Sequence, residues 1–172
     1  MRNLKNQKGV TLVALVVTII VLLILAGISL SLVAGSNGIM TRAVNASNTN
    51  ESATAAEQAE LKIAEIQIDY YEAYYVTEDA TVMGQSMVQY IESKIGSGIA
   101  CSNTRYFMVC DKDASGKTGT IKVYVGNSSA GTLVATRKYE TGSEATGNFT
   151  WADAKWSYMK TLNGGNTTNT GV

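Results

Sequence analysis

The 172-residue chain has no histidine, no proline and only two cysteines, and no charged side chain lies between Gly9 and Thr41. Without histidine there is no Ser/His/Asp or Cys/His relay, no His-ligated metal and no imidazole switch near neutral pH. Most hydrolase mechanisms are thereby excluded. Two cysteines with no histidine also leave zinc short of its usual four ligands. No nucleotide-binding glycine loop is present, so the chain carries no ATPase of its own. Its 14 basic residues balance 14 acidic ones, and the dense basic face that nucleic-acid binding needs is missing. The length fits one domain. The average composition, 45% hydrophobic and 16% charged, is that of a globular protein, but it hides a very uneven distribution.

The unevenness begins at the N-terminus. A short leader, Met1-Arg2-Asn3-Leu4-Lys5-Asn6-Gln7-Lys8-Gly9, carries three positive charges, and an apolar run from Val10 to Val33 follows, broken only by Thr11, Thr18, Ser29 and Ser31. About 20 apolar residues in a helix cross a bilayer core, and helix is the single-segment conformation that satisfies the backbone in lipid. Lys5 and Lys8 then stay cytoplasmic and the chain beyond Arg42 is exported. A secretory signal peptide has a shorter apolar region, about 7–15 residues, closed by small residues; a plain single-pass anchor is the other alternative. Neither accounts for Lys8-Gly9 standing directly against the apolar run.

The segment Lys8-Gly9-Val10-Thr11-Leu12-Val13-Ala14-Leu15-Val16-Val17 resembles the class III leader and mature start of type IV pilins and pseudopilins. Together with Gly35-Ser36-Asn37-Gly38-Ile39-Met40-Thr41-Arg42-Ala43, it is most similar to pilin-like proteins of clostridial-type Gram-positive bacteria. The resemblance covers about the first 45 residues. It implies that a prepilin peptidase cuts between Gly9 and Val10, methylates the new amine and leaves the apolar segment in place. Lys8, Gly9 and Val10 are then the processing residues, and Val10, Thr11, Leu12, Val13, Ala14 and Leu15 begin the assembly helix. Two positions depart from the pattern: Ala14 stands where the family usually has a glutamate, and Val10 where it usually has phenylalanine. A carboxylate in lipid is costly and is kept for a partner, so its absence removes a register contact and leaves the anchor intact.

Beyond the apolar run, the breakers Gly35-Ser36-Asn37-Gly38 predict a bend or local melting of the helix. Helical periodicity returns with Leu61, Ala64, Ile68, Tyr71 and Tyr75, a stripe expected to dock on the subunit's own sheet. A continuous helix from Val10 to Tyr75 would be about 100 Å long, a length suited to a filament. A shorter helix is expected around Gly84–Ile95, with Met87 or Val88, Ile91 and Ile95 on one stripe. Strand patterns follow at Arg105–Cys110, Thr120–Val125 and Thr132–Tyr139, with turns at Asp111–Gly119 and Gly126–Gly131. Trp151–Lys160 reads as a last short helix or strand, and Asn163–Val172 as a disordered tail.

The expected fold is therefore α+β: a long N-terminal helix, transmembrane in its first half and amphipathic in its second, packed on a small antiparallel sheet. The expected organisation is leader 1–9, hydrophobic helix 10–40, globular domain 41–162 with its helix running to about 76 and a three-stranded sheet at about 105–139, and tail 163–172.

Cys101 and Cys110 lie outside the cell on this topology, where a disulfide persists; two free, small apolar side chains flanking the first strand are the alternative. Asp111, Asp113, Ser115 and Gly116 match the first half of a calcium loop, but Lys122 stands where the bidentate carboxylate belongs, so the segment reads as a hairpin turn and no metal is expected. The tyrosine pairs Tyr70-Tyr71 and Tyr74-Tyr75 read as packing groups rather than a conducting path. Removal of Arg2, Lys5 and Lys8 leaves 11 basic against 14 acidic side chains, which speaks against specific nucleic-acid capture.

The function expected from the resemblance is structural: a non-enzymatic type IV pilus or pilus-like filament subunit without a cofactor. It would start as a single-pass precursor in the cytoplasmic membrane and end in a cell-surface filament. Implied partners are further copies, other pilins, the prepilin peptidase, a pilus assembly platform protein and its ATPase. The alternatives are a minor or tip pilin or pseudopilin of a DNA-uptake or type II secretion-like system, an unprocessed membrane-anchored binding domain, and an exported enzyme. The last lacks any convergent nucleophile, base and oxyanion set.

Overall fold

A computed structural model describes residues 7–35, 38–141 and 148–159. The first six leader residues and the tail from Asn163 lie outside the described residues. The chain divides into two compact units, Met1–Ala46 and Ser47–Val172.

In the first unit, helix α1 spans Gln7–Ala34 and helix α2 begins at Ile39. Every described α1 side chain from Leu12 to Ala34 is exposed. Gly35 and Gly38 stand outside both helices, and the backbone there closes on itself. Gly38 N donates to Gly35 O at 2.8 Å, and the Thr41 hydroxyl donates to the same carbonyl at 3.1 Å. The interruption falls at the breakers, and glycine is required there: a Cβ at Gly35 would come within 2.4 Å of the Ser31 carbonyl oxygen.

The second unit is an α+β head. It contains the remainder of α2 (Ile39–Tyr75), the one-turn α3 (Ala80–Met83), α4 (Met87–Ile95), and strands β1 (Ile99–Ala100), β2 (Tyr106–Lys112), β3 (Thr118–Val125), β4 (Thr132–Glu140) and β5 (Ser157–Tyr158). The five strands follow one another in an antiparallel meander. The sheet thus has two strands more than the three expected: β1 and β5 are two-residue strands, too short to leave an alternating pattern in the sequence. From the Trp151 region, Trp151 forms a bridge with Tyr139 and β5 closes the sheet edge.

Alternation along the strands fixes which face is buried. Tyr106, Met108, Ile121, Val123, Ala135 and Tyr139 point to one face and are fully or almost fully buried. Helix α4 is held by a capping box between Ser86 and Gln89, and it buries Met87, Val88, Ile91 and Ile95 as the sequence stripe indicates. The preceding residues from Ala80 form a separate turn because Asp79 caps it, accepting from the Thr81 N–H at 2.8 Å. The chain then turns into β1 through Gly98, whose φ of 139° is open to glycine and strained for other residues.

Helix α2 packs on this sheet, but through a face other than the expected one. Ser52, Ala55, Ala56, Ala59, Ile63, Ile66 and Tyr70 are buried, whereas Leu61, Ala64, Ile68, Tyr71 and Tyr75 are exposed. The physical reason is size. Ser52, Ala55, Ala56 and Ala59 are small enough to sit against the sheet with little bulk between, and Ile63, Ile66 and Tyr70 continue the same face into the core.

Candidate assembly segment and head interface

The junction Lys8-Gly9-Val10 lies in the first turns of α1, and side-chain geometry is described from Leu12 onward. From Leu12 to Val33 the helix offers an apolar cylinder of about 33 Å, comparable to the roughly 30 Å hydrocarbon core. It is the one helix among the described residues long and apolar enough to cross a membrane. Ala14 and Leu15 are part of that exposed surface. The hydroxyl of Thr18 donates to the Leu15 carbonyl at 2.8 Å, which satisfies the polar group inside the helix and makes it tolerable in lipid. Apart from the hydroxyls of Thr18, Ser29 and Ser31, the segment offers only apolar contact.

The head is tied together by three polar clusters between elements far apart in sequence. At the first, Arg105 makes a two-pronged bond to Glu51 of α2, Nε and Nη2 each at 3.0 Å, and the Tyr106 hydroxyl donates to the same carboxylate at 3.0 Å. At the second, Glu60 Oε1 of α2 accepts from Arg137 Nη1 and from Trp156 Nε1, both at 2.7 Å. The remaining guanidinium nitrogens of Arg137 donate to the Asp153 and Ala154 carbonyls at 3.1 Å, and the guanidinium lies over the Trp151 ring at 4.3 Å. At the third, Lys112 pairs with Glu92 of α4 at 2.6 Å, the buried Tyr139 hydroxyl donates to Glu92 at 3.0 Å, and the Cys110 thiol donates to Tyr139 at 3.4 Å. None of these clusters was visible in the sequence, since partners such as Glu60 and Trp156 are joined only by the packing of α2 on the sheet.

Cys101 and Cys110 are free thiols, which corrects the disulfide considered from the sequence. The strand register is the reason. Cys101 N bonds to Tyr106 O, so Cys101 sits opposite Tyr106, and Cys110 lies four residues further along the strand. That is a separation of about 13 Å along the strand direction, well beyond the reach of a disulfide. Instead Cys101 joins the core cluster and Cys110 packs against it. The turn between β2 and β3 is confined to residues 113–117, shorter than the expected Asp111–Gly119, because Asp111 and Lys112 still pair with Thr120 and Gly119 of β3. Lys122 pairs with Asp111 and the Thr118 hydroxyl with Asp113, so both carboxylates are engaged by groups of the hairpin itself. Of the tyrosines, Tyr70 packs at 5.4 Å on Tyr90 of α4 and donates to the Gln85 carbonyl, while Tyr71 and Tyr75 stack at 6.1 Å on the exposed face.

Burial sets the acid–base behaviour of the two thiols and of Tyr139. Desolvation pushes the Cys101 and Cys110 thiols up to about 11 from the ordinary 9.0, and desolvation, reinforced by the bonds to Cys110 and Glu92, pushes the Tyr139 phenol far above its usual range. The folded head therefore keeps these protons to higher pH than the unfolded chain, which starts to release the thiol protons near pH 9. Above that point the unfolded state binds fewer protons, so stability is complete below pH 9 and falls as pH rises towards 11. We expect the urea midpoint of the chain in detergent to decline steadily across that window, and Cys101→Ala to flatten the decline. A midpoint that is level from pH 8 to 11 would show that the thiols are not protected by the fold.

The family described as the prokaryotic N-terminal methylation motif matches residues 4–30. No curated protein and no solved structure matches the chain. The matched region covers the junction Lys8-Gly9-Val10 and most of α1. It supports a type IV pilin-like protein, of pilin or pseudopilin kind, whose precursor is processed by a prepilin peptidase. The same motif implies assembly with other pilins in general, and with the apolar helix it fits membrane anchoring of the precursor. Proteins of this type are structural rather than catalytic.

Proposed function

We propose that this pilin-like chain is a structural subunit of a type IV pilus or pilus-like filament, cut between Gly9 and Val10 and assembled through α1. The observation that carries the reading is the uncharged and wholly exposed surface of Leu12–Val33, most of which lies within the methylation motif. Such a surface must be covered. Lipid covers it in the precursor; neighbouring helices cover it once the subunit leaves the membrane, because staggered apolar helices bury what the acyl chains covered before. Repeating one head-to-tail contact that does not close generates a filament. Extraction needs energy that the chain does not supply, so an assembly platform protein and its ATPase are the partners this reading requires. The head then forms the outer surface of a cell-surface fibre.

Ala14 supports a second reading. A subunit with no carboxylate at this depth suits a minor or tip position, or a pseudopilin of an uptake or secretion system, in which one contact of the regular lattice is not made. N-terminal sequencing and intact mass of the chain, recovered separately from membranes and from sheared extracellular material, decide among these. We expect an N-methylated Val10 start in abundant sheared filaments. A Val10 start confined to membranes points to the minor subunit or pseudopilin, and an intact Met1–Gly9 leader on the mature protein overturns processing and leaves an anchored domain.

A further inference from the structure

An apolar bundle of α1 helices has nothing to fix its register. Between Val10 and Val33 the only polar groups are four hydroxyls, and sliding one such helix past another by a turn exchanges apolar contacts for equivalent ones. Register must come from charge or shape elsewhere.

Two exposed, mutually complementary helical segments remain. The first is the unpartnered face of α2: Leu61, Ala64, Ile68, Tyr71 and Tyr75 repeat with the alternating three- and four-residue spacing of a helix-to-helix seam. Leu61, Ile68 and Tyr75 are 51%, 65% and 69% exposed. Glu72 stands at the edge of this face and Asp69 flanks it, both exposed and with no basic partner among the described residues. The second segment is the start of α2, where Ile39, Met40 and Val44 are exposed around Arg42. Arg42 is the one charged residue between Lys8 and Glu51. It is exposed, and no carboxylate among the described residues meets it.

Resting on the filament reading above, we infer that the seam Leu61–Tyr75 of one subunit is covered by the Ile39–Val44 segment of a second copy, with Arg42 of that copy pairing with Asp69 and Glu72. Charge complementarity selects this occupant. The seam is acidic and apolar, so a second seam laid against it would bring like charges together, whereas the segment around Arg42 is apolar with a single positive charge. Arginine suits the role because its planar fork can engage two carboxylates at once. The contact joins different surfaces on the two copies, the heterologous kind that a filament repeats, and it gives an otherwise slippery bundle one preferred offset.

The test is a charge exchange in cells producing the full chain, read as filament recovered by shearing, with intact mass confirming the Val10 start. Because Arg42 is solvent-exposed, Arg42→Glu leaves head folding unaffected, which the thermal midpoint of the chain in detergent checks. We expect Arg42→Glu, and separately Asp69→Arg with Glu72→Arg, to lower recovered filament by at least about tenfold, as loss of one partner of a buried charge pair does. Combining the three changes should restore it to within about threefold. Filament levels unaffected by Arg42→Glu, or no rescue by the combination, overturn the contact while leaving the filament reading in place. A wild-type chain that begins at Val10 and yields no filament removes that reading, and the proposed contact with it.

Discussion

Replacing Gly119 by alanine is expected to destabilise the head by about 4 kcal/mol, combining overpacking with the loss of a buried hydrogen bond. Gly119 pairs with Tyr139 across β3 and β4, and a Cβ at this position would lie 2.3 Å from both Cζ and the hydroxyl oxygen of Tyr139. Elsewhere a ring could swing away from so close an atom. Here Tyr139 is fully buried, stacked on Phe149 at 5.5 Å and bonded through its hydroxyl to Glu92 and Cys110. Moving the ring therefore takes the buried Tyr139 hydroxyl away from Glu92 and Cys110, and leaving it in place forces the two strands apart. For a head of this size the thermal midpoint should drop by more than about 10 °C. A Gly119→Ala chain melting within about 2 °C of wild type would show that the Tyr139 pocket yields. If the clash is the cause, Tyr139→Leu in the same chain recovers part of the loss, a coupling a double-mutant cycle measures.

Glu60→Ala should follow at about 2–3 kcal/mol. The carboxylate itself is about half exposed, so its Coulombic share of the pair is small. The cost arises in the groups left behind: Arg137, whose side chain is 13% exposed, loses one of its three acceptors, and the buried Trp156 indole N–H loses its acceptor. A buried donor without a partner costs far more than an exposed ion pair contributes. Arg105→Ala is the matching control, because Arg105 is largely exposed and Glu51 retains its bond from Tyr106; it should change stability by less than about 1 kcal/mol. Urea denaturation of the two variants side by side separates the cases, and equal losses would mean that burial around Glu60 does not govern its contribution.

The same contrast explains which parts of the molecule were legible beforehand. The membrane-competent helix, its interruption at Gly35 and Gly38, the short α4 and the three long strands follow from local rules: hydrophobic run length, backbone freedom, capping chemistry and alternation. The docking face of α2 does not, because apolar residues lie on more than one side of that helix. Periodicity alone favoured the larger side chains, Leu61, Ile68, Tyr71 and Tyr75, whereas the sheet accepted the smaller ones, Ala55, Ala56 and Ala59. The face left over is exposed.

The sequence by itself determined the N-terminal methylation motif, an uncharged helix long enough to cross a membrane, the absence of catalytic machinery built on histidine, and the α+β order of elements. Each is a property of neighbouring residues, or of composition, and needs no knowledge of what packs on what. Tertiary structure alone decided that Cys101 and Cys110 stay apart, that Glu60, Arg137 and Trp156 converge, that Tyr139 fills the space Gly119 leaves, and which side of α2 faces its sheet. Those outcomes depend on strand register and on how closely two surfaces can approach, and both are fixed only when elements distant in the chain are packed together.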